Sequence, residues 1–304
     1  MDSSIACLIV MMVGSLSACC KGRSGGHVNE NSGDCNCGNC GCDASSFGNF
    51  NCPLIWGSTE DGDIVFESLT SKTLDGALNI VRNSYFPDEN ICKGCDLLSE
   101  RGASEEVEQL ALDIVKDGIT IVARNAFTNE VVGTIFNKLL KPKTGNEKSE
   151  LEIYRDSFEH NASKCYADVY FNIRSRADIY KRYDADCIME MTFLAVRQDY
   201  RRRGIAGLLV SSSLELGRQL YKGIPVKTSV DIDGKSITNA DDIPSIAVTI
   251  MTSEYAQKLL DKFEFDKLVE VSFNALTFEG IPLSEKIGDV HQTAILGVKS
   301  LSPY

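Results

Sequence analysis

Seven consecutive residues carry the most legible chemistry of the chain: Arg201-Arg202-Arg203-Gly204-Ile205-Ala206-Gly207. They lie between an apolar run, Ile188–Val196, and a segment reaching Tyr221 in which Ile205, Leu209, Leu216 and Leu220 recur at spacings of four and seven. That pattern predicts a buried strand, a turn, and a helix with one apolar face. The first N–H groups of such a helix are unpaired and point one way, at the positive end of its dipole. Arginines beside them suit the turn to a phosphate or pyrophosphate; the bland alternative is a basic helix start that binds nothing. The spacing fits neither G-x-G-x-x-G nor G-x-x-x-x-G-K-[ST], so those nucleotide-binding turns do not apply as written.

A second feature is the carboxylate pair Asp88-Glu89, reached directly from Tyr85-Phe86-Pro87. A carboxylate in a cleft can take a proton from a reacting amine if burial raises its pKa, whereas at the surface it is merely solvated. Tyr85 and Phe86 read either as walls of an arylalkyl pocket or as core. Glu190, on the apolar run, either holds a water or an amine or faces solvent. His291 either contacts substrate or sits satisfied beside a strand. Cys92-x-x-Cys95 follows Glu89 at the spacing of a redox or metal pair.

The elements that must position these residues follow from periodicity. Asp63–Leu69 opens with a short strand and Thr73–Ser84 is a short helix; Glu105–Val115 is helical by its spacing. Gly118–Arg124 and Glu130–Phe136 flank Asn125–Asn129 as a hairpin. Ala167–Arg182 is mixed and helical towards its end. After the central strand–turn–helix come a strand candidate at Val226–Val230, an acidic loop over Asp231–Pro244, a buried strand at Ile246–Met251, a helix at Ser253–Lys262, and strands at Leu268–Phe273 and Gln292–Lys299. The order is α/β with a mixed sheet.

At 304 residues, one to two domains are expected. The net charge of −12 argues against a general nucleic-acid binder and is compatible with a cationic substrate. Eight of the twelve cysteines fall in the first 52 residues, which divides the chain into a cysteine- and glycine-rich head, 1–58, and a globular body, 59–304. Ile5–Val13 is too short to span a bilayer, which takes about 20 residues. With Gly14–Ala18 it resembles the core and cleavage site of a signal peptide, although no Lys or Arg precedes it. A leader over 1–18 is therefore either secretory or untargeted. Cys35, Cys37, Cys40 and Cys42 could ligate a soft metal, or belong to a disordered thiol-rich tail; their spacing is not that of a zinc finger. The expectation is a cytoplasmic monomer without a stable membrane span, with secretion as the alternative. Asn161-Ala-Ser163 is a glycosylation acceptor only in the secreted case.

Arg201-x-x-Gly204-x-Ala206, preceded by the strand end Phe193-Leu194-Ala195-Val196, is similar to the Q/R-x-x-G-x-G/A turn of the GCN5-related N-acetyltransferase (GNAT) superfamily. From about residue 62 to 302 the element order resembles that acyl-CoA N-acyltransferase fold, a mixed central β-sheet flanked by helices. More narrowly, the body resembles the insect-type arylalkylamine (dopamine) N-acetyltransferases at three places: Phe86–Glu89, Tyr200–Gly207, and Val290-His291 followed by Ile295–Lys299. The resemblance implies acetyl transfer from acetyl-CoA to a primary amine, such as dopamine, tryptamine or serotonin. Glu89 would be the base. The backbone at Leu194 and Val196 would hold the pantetheine arm. Arg201, Arg202, Arg203, Gly204, Ile205, Ala206 and Gly207 would hold the pyrophosphate. Tyr85, Phe86, Glu190 and His291 would face the amine, and no metal is implied. Thr252 matches the first of two serines that the family carries near the thiol. The chain departs from the pattern at Asn90, where the family has proline, and at Ala256, in place of the second serine. It departs again at Leu260, where many members have a tyrosine that protonates the thiolate, and at Glu264, in place of glycine. These departures leave open an acyl-CoA-binding protein without turnover, and the head leaves open a thiol-rich metal-binding protein.

Overall fold

Eight strands pair into one sheet, and its single parallel join decides where a ligand can enter. The computed structural model describes residues 53–302, apart from 144, 146, 233–234 and 238–241. The leader and the cysteine cluster of the head lie outside the described residues. The sheet strands are β1 (Ile55–Ser58), β2 (Ile64–Ser68), β3 (Ile121–Asn125), β4 (Val131–Leu140), β5 (Ile188–Val196), β6 (Ile246–Met251), β7 (Asp266–Ser272) and β8 (Thr293–Ser300). Their spatial order is β1-β2-β3-β4-β5-β6-β8-β7. β1, which the sequence reading leaves in the head, pairs antiparallel with β2. Every neighbouring pair is antiparallel except β5 and β6.

The helices are α1 (Ser71–Ile80), α2 (Asn90–Gly94), α3 (Ala103–Val115), α4 (Glu150–Ser157), α5 (Asn161–Ser175), α6 (Ile179–Tyr183), α7 (Ile205–Tyr221), α8 (Glu254–Lys262) and α9 (Leu283–Ile287). Apolar stripes divide them between the two faces of the sheet. On one face Ala77 and Ile80 of α1, Val107, Ala111 and Ile114 of α3, and Tyr166, Val169 and Ile173 of α5 share a core. On the other, Ile205, Leu209, Leu216 and Leu220 of α7 are buried as their spacing predicts, together with Leu260 of α8. Truncating Leu209, fully buried, would cost about 2–5 kcal/mol.

Two expectations need correcting. The region read as mixed from Ala167 contains a helix starting at Asn161, so Asn161-Ala-Ser163 is the first turn of α5, where the Ser163 hydroxyl donates to Glu106. The Val226–Val230 segment joins no strand of the main sheet; only Val230–Ile232 pairs, with Lys235–Ile237.

The central strand carries one irregularity. Thr134 of β4 faces Ala195 while Phe136 faces Thr192, so three steps on β5 answer two on β4. The extra residue is absorbed at Phe193, whose φ of 46° lies in the left-handed region. Side-chain alternation inverts there: Met189 and Met191 join the core with α7, whereas Phe193 and Ala195 join the opposite core. The Phe193 ring is held by Tyr85 at 4.9 Å and Phe136 at 5.5 Å.

Glu264 closes α8 with φ of 54°, while the Phe265 N–H returns to the Leu260 carbonyl at 2.8 Å. This is the left-handed helix ending that favours glycine. The Glu264 side chain is 83% exposed and its carboxylate stands 3.6 Å from Lys299, a pair worth little at that exposure. Glu264→Gly is therefore expected to raise stability by about 1 kcal/mol, read as a higher urea midpoint at unchanged m-value.

Candidate active site

β5 and β6 are paired only from Ile188–Ile246 to Met191–Thr249. Beyond that point β5 runs on to Val196 without β6, and the Thr249 hydroxyl donates to the Met191 carbonyl at 3.0 Å, closing the last rung. A cleft of about 1640 Å³ opens where the strands part. Its walls include Leu194 to Val196 from β5, Met251 at the end of β6 with Thr252 and Ser253 after it, and Tyr85, Glu89 and Tyr170 from the helical side.

One end of the cleft is the turn into α7. Gly204 precedes the helix with φ of 78°, Arg202 is left-handed at 62°, and no side chain caps the first turn. By contrast Ser149 and Ser253 cap α4 and α8. The N–H groups at Ile205, Ala206 and Gly207 are thus left for a ligand, and these residues, with Arg201, Arg202 and Gly204, line the cleft. Arg203 does not line it: its guanidinium stands 3.4 Å from Asp61 and 3.6 Å from Asp63 and lies over the Tyr200 ring. The expected pyrophosphate role of Arg203 has no support in this placement, because the left-handed step at Arg202 sends it to the β1–β2 turn. Arg201 is also engaged, with Asp88 at 2.5 Å and with the Val196 carbonyl at 3.0 Å.

That second bond redefines what β5 offers. The Arg197 N–H donates to the Val132 carbonyl, so Gly133 and Val196 form a non-hydrogen-bonded pair. Val196 therefore aims its own N–H and C=O towards the side that β6 has left. Since Arg201 occupies the carbonyl, the N–H is the group presented to a ligand.

Glu89 caps α2, its Oε2 accepting from the Cys92 N–H at 2.7 Å, and its Oε1 accepts from the Thr252 hydroxyl at 2.8 Å. Among the described residues it has no ion-pair partner. Most other cleft carboxylates differ: Asp88 pairs with Arg201, Asp113 with Lys116, Glu150 with Lys138, and Glu190 with Arg174 at 2.9 Å, while Asp178 caps α6 by accepting from the Lys181 N–H. The pairing with Arg174 removes Glu190 as a free holder of an amine or water. Tyr85 is reached through a π-helical turn, Val81–Tyr85, at the end of α1. Its hydroxyl meets those of Tyr166 at 3.1 Å and Tyr170 at 3.0 Å, and burial pushes all three phenols well above their ordinary pKa. Phe86 turns the other way, is 2% exposed, and belongs to the core rather than the cleft. His291 stands at the cleft wall, edge-on to Tyr255, its Nδ1 facing the Glu254 N–H at 3.4 Å.

Leu260 is fully buried, nested over Gly297 of β8, where an added Cβ would come within 2.6 Å of its side chain. It does not line the cleft, so the missing tyrosine at this position removes nothing from the site. Tyr255, Ala256 and Leu259 are the faces of α8 that do line it. Arg174, Tyr166 and Tyr170 were not anticipated; their i, i+4, i+8 spacing was the available signal.

No family model matches the sequence. Among solved structures, the chain is similar to arylalkylamine N-acetyltransferase 2 from Aedes aegypti at 21% identity and a TM-score of 0.62, over 79% of this chain and all of that one. It is also similar to a mosquito arylalkylamine N-acetyltransferase like 5b at 18% identity and a TM-score of 0.60, over 78% of this chain and 99% of that one. A third likeness is to the Drosophila melanogaster polyamine N-acetyltransferase that forms N-acetylagmatine, at 14% identity and a TM-score of 0.60, over 78% and 100%. The chain has the fold of the GNAT superfamily, as the strand–turn–helix resemblance implied.

Cys92 and Cys95, beside Glu89, are free buried thiols. Burial pushes Cys92 up, and its neighbour Cys165 together with burial pushes Cys95 up. Neither has the exposed, electropositive setting of a reactive thiol. Iodoacetamide at pH 8, followed by peptide mapping, should leave both unlabelled in the native protein and label both in urea.

Proposed function

We propose that the protein is an N-acetyltransferase that moves the acetyl group of acetyl-CoA to a primary amine, most simply an arylalkylamine such as dopamine, tryptamine or serotonin. The observation that carries this reading is Glu89: a carboxylate without a cationic partner, in the cleft where β5 and β6 part, hydrogen-bonded to the Thr252 hydroxyl. The pantetheine arm would lie in the gap beside the Val196 N–H, with the pyrophosphate on the N–H groups of Gly204–Gly207 and the Arg202 side chain.

The chemistry follows from one proton path. The neutral amine attacks the thioester carbonyl, and its nitrogen gives up a proton to Glu89 as the C–N bond forms. The C–S bond breaks, the thiolate takes the Thr252 proton, and Glu89 returns one to Thr252 across their 2.8 Å hydrogen bond. One proton travels from nitrogen to sulfur and nothing else is consumed. Holding the two reactants together supplies much of the acceleration.

The acceptor side favours one cation attached to an aromatic group. Tyr85, Tyr166, Tyr170, Phe171, Tyr180 and Phe193 line it. Asp113, Glu150 and Glu190, which could have held a second cationic group, are already paired, and Asp178 is engaged in capping α6. A dication without an aromatic group, such as agmatine with its amine and guanidinium, is therefore the poorer fit.

Acetyl-CoA turnover by the purified chain against dopamine, tryptamine, serotonin, agmatine and spermidine tests this. Glu89→Gln should lower kcat by about 10²–10³-fold with little change in the KM for acetyl-CoA. Arg202→Ala should raise that KM several-fold, roughly the worth of one charge-assisted contact, and Arg203→Ala should leave it unchanged. Acetyl-CoA binding without acetylation of any amine would replace this reading with a non-catalytic acyl-CoA-binding protein. Failure to bind acetyl-CoA would end both.

A further inference from the structure

Resting on that reading, we propose that Asn90 is a positioning residue: a buried amide strap that holds Thr252 against Glu89. Asn90 directly follows Glu89 at the start of α2, and its Nδ2 donates to the backbone carbonyl of Thr252 at 2.7 Å. Thr252 is therefore gripped twice by consecutive residues from the other end of the chain, its hydroxyl by Glu89 and its carbonyl by Asn90. Asn90 and Thr252 are 1% and 8% exposed. With the Cys92 N–H on the second carboxylate oxygen, the three contacts leave Glu89 little freedom to rotate.

The location makes the grip consequential. The backbone ladder between β5 and β6 ends at Met191–Thr249, three residues before Thr252. On its other edge β6 stays paired with β8 as far as Met251–Ile295, and beyond that residue the Thr252 hydroxyl and carbonyl are held by the side chains of Glu89 and Asn90. The strap is also only half satisfied, since Asn90 Oδ1 is buried without a hydrogen-bond partner. A buried acceptor in that condition is destabilising relative to an apolar group of the same shape. Stability alone gives little reason for an amide here, since without it one orphaned acceptor is exchanged for another, and proline suits the first residue of a helix. The amide is explained by what its donor holds in place.

A structural role and a positioning role then predict opposite behaviour. Asn90→Leu and Asn90→Pro remove the orphaned oxygen but leave the Thr252 carbonyl unpaired in its place, so the two effects offset and Tm should change little. In both, kcat should fall about tenfold or more, because small misplacements at a reacting centre are costly, while the KM for acetyl-CoA, governed by the distant α7 turn, should hold. In Thr252→Val the carbonyl remains but the hydroxyl is gone, so adding Asn90→Leu should slow the enzyme no further, within about twofold. Independently of any turnover, amide hydrogen exchange in the unliganded full chain should report the loosened carboxylate. The Cys92 N–H should exchange about tenfold faster in Asn90→Leu at unchanged Tm.

A lowered Tm with proportionate loss of activity, additive effects in the double variant, or unaltered exchange at Cys92 would each overturn the proposal. If the wild type acetylates no amine, the functional reading fails by itself and the exchange arm still decides whether Asn90 holds Glu89 in place.

Discussion

The site depends on the parting of two strands that begin as neighbours. In an otherwise antiparallel sheet, β5 and β6 run parallel and share four register positions before they separate. Each unpaired N–H and C=O beyond that point needs another partner, because buried backbone polar groups are seldom left unmet. Some are met internally, as Thr249 meets the Met191 carbonyl and Arg201 meets that of Val196. Those that remain face a cleft, and a ligand with its own amides can take the place of the missing strand. The turn into α7 repeats this arrangement at smaller scale, with N–H groups that no side chain caps.

Charge in the cleft follows a similar division. Arginines and lysines are numerous, yet most are committed to carboxylates. Asp88 restrains Arg201, Asp61 and Asp63 draw Arg203 away, and Glu190 restrains Arg174. Apart from Asp178 and Lys181 at the start of α6, the cleft-lining charges without an ion pair among the described residues are the exposed Arg202, by the bare helix start, and the carboxylate of Glu89. They are of opposite sign and lie on different walls, so the cleft distinguishes an anionic ligand at one end from a cationic one at the other.

The architecture was legible in the sequence wherever apolar runs were long and regular. Ile188–Val196 and the four-and-seven spacing from Ile205 to Leu220 point to one strand and one helix, and both lie where expected. Side-chain direction was not legible. Three adjacent arginines look equivalent as letters, but the left-handed backbone at Arg202 turns Arg203 away from the cleft. Tyr85 ends a π-helical turn and Phe86 follows it, so one lines the cleft as the other enters the core. Leu260 lies about 100° around α8 from the cleft-lining Leu259, a rotation that alignment to a family pattern does not register. Partners distant in sequence were equally hidden: neither the bond from Thr252 to Glu89 nor that from Arg174 to Glu190 leaves a trace in local spacing.

The left-handed residue in β5 sets local regularity against the cleft. Deleting one residue between Thr192 and Ala195 would give a strand with unbroken inside–outside alternation and no backbone strain, a better strand by every local criterion. It would also remove the bend that a bulge puts into its strand, so β5 would run on beside β6 and narrow the gap, although Val196 would still aim its backbone groups away from β4. Phe193, locked between Tyr85 and Phe136, therefore acts as a phase marker for the strand. A shorter and more regular relative of this chain could keep its core and its sheet order while losing the surface on which a second molecule is laid.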